Sequence, residues 1–191
     1  MPADVGMRFG ESAAYMTVLQ IRYDRSYPLI DSSGVLITWA DSLRATEASL
    51  LRLGVPEASI SIPANRTLTI GGACSAQATA TLPEGWSFNV FGSIMYMRDR
   101  GTTARAELWR DGALLKPSFA SVNDYKVGES DIQAVNDVVV QGGDSVRTFC
   151  TWDTFGATET TRGGYEAHQE RCHHFVFIYP PIPGDLHICG S

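Results

Sequence analysis

Short runs of alternating or β-branched residues recur along this chain: Tyr15 to Tyr23, Val35 to Trp39, Ser59 to Ile62, Thr67 to Ile70 and Ala78 to Leu82, then Trp86 to Met97, Ala104 to Trp109, Ile132 to Val140, Ser145 to Trp152 and Cys172 to Tyr179. On an extended strand, side chains two apart share a face, so alternation marks a half-buried strand. Gly, Pro, Asp and Asn separate the runs, and the pattern predicts an all-β sandwich. Arg110-Asp111-Gly112 closes one hairpin, and Gln141-Gly142-Gly143-Asp144 leads into another strand. Trp39 to Gly54 also fits a short amphipathic helix, through Leu43, Glu47, Leu50, Leu51 and the terminal Gly54.

The run from Trp86 carries the most chemistry. By alternation Trp86, Phe88, Val90, Gly92 and Ile94 share an apolar face that ends in Tyr96 and Arg98. A His-x-His pair at 96 and 98 would set two imidazoles on one side of a rigid strand, a good geometry for a soft or borderline metal. This chain has Tyr and Arg there instead.

Composition narrows the class. With 191 residues, 44% hydrophobic and 19% charged, the chain suits one globular domain. Its net charge of −6, with only 15 Lys and Arg, provides no basic stripe to track phosphates and argues against nucleic acid as a partner. No apolar run approaches the ~20 residues that span a bilayer. Met1 to Ser12 lacks the charged start and apolar centre of a signal peptide. Asn65-Arg66-Thr67 is an N-glycosylation acceptor triplet, consistent with secretion. Four cysteines allow three pairings, and sequence alone does not choose among them or exclude four reduced thiols.

Motifs spread from end to end carry a resemblance. They are Leu19-Gln20-Ile21-Arg22-Tyr23, Asp31-Ser32-Ser33-Gly34-Val35, Ile62-Pro63 and Gly72-Ala73-Cys74, then the frame of Phe91, Ser93 and Gly101 and the Trp109-Arg110-Asp111-Gly112 turn. Further on come Gly143-Asp144, Cys150-Thr151-Trp152-Asp153-Thr154, Gly163-Gly164, Glu170-Arg171-Cys172 and Tyr179-Pro180. In order and spacing the chain resembles the C-terminal domain of the copper type II, ascorbate-dependent monooxygenases. The resemblance implies a jelly-roll-type antiparallel β-sandwich of about nine or ten strands, and makes Ala48 to Leu53 a strand rather than a helix. It implies two disulfides, Cys74 to Cys189 and Cys150 to Cys172, and hence an extracellular or lumenal setting. Residues 1–28 resemble the last strand of the family's first domain and the link that follows, and 29–191 the second domain.

In that family a His-x-His pair and a Met before the cysteine hold one copper, and a His in a Leu-x-x-His-Tyr segment serves a second. The corresponding positions here are Tyr96, Arg98, Arg171 and Arg22. Arginine offers donors only and stays protonated, so it repels a cation. The expectation is therefore a non-catalytic, extracellular structural or protein-interaction module without a cofactor. The first alternative is a copper-dependent monooxygenase half completed by another chain or a relocated metal site. The second is a module for a glycan or anionic small molecule, with Arg98, Arg171 and Tyr96 as an anion pocket. On the plainer reading those arginines pair with local acids such as Asp99 or Glu170.

The remaining candidates are weaker. His173 and His174 are adjacent on a strand and face opposite ways; His168 and His187 read as ordinary surface histidines, although Glu166 or Glu170 has the spacing to share a face with His168. No motif supports a triad of Ser93, His168 and Asp153. Trp86, Trp109 and Trp152 read as core rather than as a carbohydrate-binding face. The Tyr15 to Tyr23 strand, cut off from a parent sheet, is expected to fold back or to add to the sheet of a second copy.

Overall fold

The computed structural model of the chain describes residues 2–8, 32, 34–128, 130–183 and 189. Arg22, the Tyr15 to Tyr23 run and His187 lie outside them.

Near the start, β1 (Val5–Gly6) pairs in parallel with β2 (Thr46–Glu47), and the longer β3 (Ser49–Val55) follows. A 3-10 turn at Glu57–Ser59 leads to the short β4 (Ser61–Ile62), then β5 (Thr67–Cys74) and a single helical turn, α1 (Ala76–Thr79). The body of the chain is β6 (Ser87–Tyr96), β7 (Gly101–Arg110), β8 (Ala113–Val122), β9 (Gln133–Gln141) and β10 (Ser145–Asp153). After β11 (Thr161–Arg162), which pairs with β4, comes β12 (Cys172–Tyr179).

Two four-stranded antiparallel sheets form the sandwich. One runs β5-β10-β7-β8 and the other β3-β12-β6-β9. The Trp39 to Gly54 region resolves in favour of a strand, since β3 is an edge strand with Leu51, Leu53 and Val55 turned into the core. At this edge β3 and β5 close on each other: a methyl group on Gly72 would run into the carbonyl oxygen of Gly54. Asp111 and Gly112 both have positive φ, 52° and 75°, as the tight turn between β7 and β8 requires.

Several expectations are corrected. Ala78 to Leu82 is not a strand: the Ser75 hydroxyl accepts the N–H of Ala78 and starts α1, so the segment turns instead of extending. Val35 to Trp39 forms no strand either; among the described residues no ladder partner reaches it, and its side chains are exposed. β8 has no counterpart among the runs read from sequence. Pro117 breaks its pattern, and the structure accommodates that proline on an edge strand, where the pairing with β7 jumps from Ala106↔Ala120 to Leu108↔Lys116.

The correction that matters most concerns β6. Its pairing with β12 runs Phe177↔Gly92 and then Ile178↔Val90, so Phe91 is an extra residue, a β-bulge. Phe88 and Val90 point inward before it, whereas Ser93, Met95 and Met97 do so after it. Ile94 and Tyr96 are thereby turned to the outer face, and Tyr96 does not share the face of Val90.

The core has two halves. One gathers Leu51, Val90, Leu108, Val146, Val176 and Ile178; the other gathers Ile60, Met97, Trp152 and the Cys150–Cys172 pair. Between them, on successive inward positions of β10 and β12, lie Thr148 and His174. The structure joins Cys150 to Cys172 across the sheets, and Cys74 at the end of β5 to Cys189.

Candidate functional site

The positions that a copper site would use in the resembled family lie around the outer face of the β12-β6 pair. His173 is directly opposite Tyr96 in the ladder, and their rings stack with centroids 6.0 Å apart. His173 Nε2 lies 2.8 Å from Oε1 of Glu57, on the 3-10 turn after β3. The Tyr165 hydroxyl lies near enough to the Glu57 carboxylate to help lower its pKa. The Tyr165 ring carries the Arg171 guanidinium, with Cζ 4.6 Å from the centroid. Tyr96, His173, Glu57, Tyr165 and Arg171 thus form one neighbouring cluster, with Tyr96 and Arg171, the residues that the motifs align with family ligand positions, at its ends.

Charge within the cluster is settled by hydrogen bonds. Burial is the largest influence on Glu57 and pushes its carboxyl upward. Hydrogen bonds from His173 and its own backbone N–H, helped by Tyr165, outweigh that and hold it at about 2. Burial lowers the pKa of His173, with Arg52 and Arg171 adding to the effect and Glu57 opposing it. At pH 7 the pair is a carboxylate accepting from a neutral imidazole.

The arginines are not arranged as an anion pocket. Arg171 donates from Nε to the Gly164 carbonyl at 3.0 Å and from Nη2 to the Tyr165 carbonyl at 2.9 Å. Its guanidinium is spent on its own loop. Arg98 lies on the turn after β6; its Nε is buried with no hydrogen-bond partner among the described residues, and it makes no ion pair there. Glu170, named above as a partner for these side chains, instead accepts backbone N–H groups of Arg98 at 3.1 Å and Arg100 at 2.8 Å, and Trp152 Nε1 at 3.0 Å. It fastens the β6-β7 turn to the core. Burial raises its pKa, and those same hydrogen bonds oppose the rise.

His173 and His174 do face opposite ways. His174 is fully buried, with Nε2 2.9 Å from Ser93 Oγ and Nδ1 3.1 Å from Thr148 Oγ1; burial depresses its pKa to about 3. No substrate reaches this Ser-His pair. His168 is exposed, as is Asn65, which has a left-handed backbone with φ 54°. Trp152 is buried core, whereas Trp109 lies on the outer face under the Arg147 guanidinium. No group of three or more His, Cys, Asp or Glu among the described residues is placed to hold a metal ion.

The family copper site therefore does not fit the side chains present. Tyr96 is stacked on an imidazole that is itself bonded to Glu57, and Arg171 is a cation fixed by two carbonyls. Neither presents a soft or imidazole donor.

The comparisons with known proteins point the same way as the motifs. Residues 46–191 match the family model of the copper type II ascorbate-dependent monooxygenase, C-terminal domain. The chain belongs to this family. It is 27% identical over 197 residues to dopamine beta-hydroxylase of Rattus norvegicus, covering 100% of this chain and 31% of that protein. Tyramine beta-hydroxylase of Caenorhabditis briggsae is 28% identical over 169 residues, 85% of this chain and 28% of the relative. MOXD1 homolog 1 of Drosophila melanogaster is 26% identical over 188 residues, 95% and 27% respectively. The chain spans less than a third of the length of these relatives.

Glu57 and Tyr165 went unnoticed in the sequence reading of the copper-monooxygenase frame. Glu57 is 116 residues from His173, and no local spacing announces the contact.

Proposed function

We propose that this chain is a copper-monooxygenase C-terminal-like domain that holds no copper at the family position and works as an extracellular structural or protein-interaction module. The observation that carries this reading is the filled site: Arg171 held by the Gly164 and Tyr165 carbonyls, and Tyr96 stacked on the Glu57-bound His173. An extracellular setting is supported by two disulfides, which persist in oxidising compartments.

The interaction role is supported by apolar surface. Leu36 is 92% and Trp39 79% exposed, beside exposed Val35 and Ile37. On the outer face of β6 and β12, Phe91 meets Phe177 at 5.9 Å and Tyr179 at 5.8 Å between centroids. The outer face of an antiparallel sheet is ordinarily polar, so these half-buried rings support a contact surface there. Self-association through the Tyr15 to Tyr23 segment is part of the proposal.

The deciding experiment is copper per chain after loading and desalting. None is expected, and about one tightly held copper would overturn the reading in favour of an enzyme half. For self-association, the solution mass should fall when residues 1–26 are deleted; an unchanged mass would remove that segment from the interface.

A further inference from the structure

Two further arginines without ion pairs among the described residues face a cleft at another place on the molecule. A cleft of about 450 Å³ opens between the loop after β10 and the loop before Glu170, and Arg100, Arg162 and His168 line it. None of the three forms an ion pair among the described residues. Arg100 makes one long hydrogen bond, from Nη1 to the Phe155 carbonyl at 3.4 Å, and Arg162 and His168 are exposed. Contrast Arg110, whose guanidinium grips both oxygens of the buried Asp144 at 2.8 Å.

Most of the remaining lining is polar. Thr158, Thr160, Thr161 and Gln169 line the cleft with the cations, and Glu159 is the one carboxylate among the lining residues. Two arginines and a histidine against one acid make a locally cationic cleft on a chain of net charge −6. Left unpaired by the protein's own acids, such donors match the acceptor oxygens of an anion, and guanidinium groups do so two bonds at a time. The volume falls in the range of small-ligand sites.

We propose that this cleft binds a ligand through an oxyanion group, a sulfate, phosphate or carboxylate. Arg100 and Arg162 provide the charge, and His168 and the lining threonines provide further donors. This is independent of whether the family copper position is empty.

The test is a nitrogen-15 NMR titration of the intact chain at low ionic strength with sodium sulfate, sodium phosphate and sodium acetate in separate arms. Saturable shifts confined to residues 156–162 and 168–169 are expected, with the dianions stronger than acetate. An acetate preference would assign the site to a carboxylate ligand. Arg162→Gln, an exposed substitution, should weaken sulfate at least about threefold, and Arg100→Gln with Arg162→Gln about tenfold or more. Arg105→Gln, on the outer face of β7 and not among the cleft-lining residues, should leave the affinity unchanged. Shifts scattered over the surface arginines, no saturation in any arm, or equal weakening by Arg105→Gln would each overturn the proposal.

Discussion

Thr148 and His174 meet across the core, Oγ1 to Nδ1 at 3.1 Å, one inward position along each strand from the Cys150–Cys172 disulfide. β10 and β12, the central partners of their two sheets, are thus joined twice, once covalently and once by a neutral imidazole that also holds Ser93 of β6. Apolar packing continues on either side of this joint.

Acid acts on that joint. The folded-state pKa of His174, about 3, lies below its ordinary 6.5 because burial disfavours the imidazolium. Between those values the unfolded chain carries a proton that the folded chain does not. Its contribution is therefore complete above about pH 6.5 and falls toward pH 3, by about 1.4 kcal/mol per unit. His173, also depressed, acts in the same direction, and the loss through Glu57 is confined below about pH 4.5. Glu170, with a raised pKa, opposes them, favouring the fold as it gains its proton. Urea midpoints from pH 7.5 to 5 should fall more steeply for the wild type than for His174→Gln. Parallel curves would show that His174 does not set the slope.

The two disulfides should differ in weight. Cys150 and Cys172 are separated by 22 residues and Cys74 and Cys189 by 115. In the chain-entropy account, closing loops of these lengths stabilises by about 3 and about 5 kcal/mol respectively. Paired Cys→Ala variants, compared by thermal or urea unfolding, should follow that order.

Gly72 is required by the neighbouring strand rather than by its own backbone. Gly72→Ala puts a methyl group against the Gly54 carbonyl, which is main chain and cannot rotate away, and should cost about 2–3 kcal/mol. Gly142→Ala meets only the Thr79 carbonyl oxygen at 3.6 Å, an ordinary contact, and should change stability by less than about 0.5 kcal/mol. Similar losses at the two sites would contradict this account of the β3-β5 edge.

The filled copper position predicts its own reversal. Tyr96→His, Arg98→His and Arg171→Met together should bring about one copper per chain after loading and desalting, while the wild type retains none. Elemental analysis and electron paramagnetic resonance would check both; a metal-free triple variant would mean that Glu57 and His173 occupy the space too firmly.

Most of the sandwich was legible because its long strands alternate. β10 shows this in Val146, Thr148, Cys150 and Trp152, all turned inward. What escaped sequence reading depended on partners. The bulge at Phe91 is visible only in its pairing with β12, so the face of Tyr96 was assigned one step out of phase. β8 was hidden by Pro117, which only an edge position tolerates. The motifs align Tyr96, Arg98 and Arg171 with the family ligand positions. Their surroundings could not be read that way, since Glu57, Tyr165 and His173 come from three separate segments.

The extra residue at Phe91 makes β6 two half-strands with independent duties. Upstream, alternate side chains build the apolar interior. Downstream, the shift hands that interior to Ser93, Met95 and Met97 and leaves Ile94 and Tyr96 facing out. Outward-facing residues such as Ile94 and Tyr96 can consequently be exchanged without a cavity or a clash inside. A scaffold built this way can abandon one chemistry and keep its architecture, because the two are written on opposite sides of the same strand.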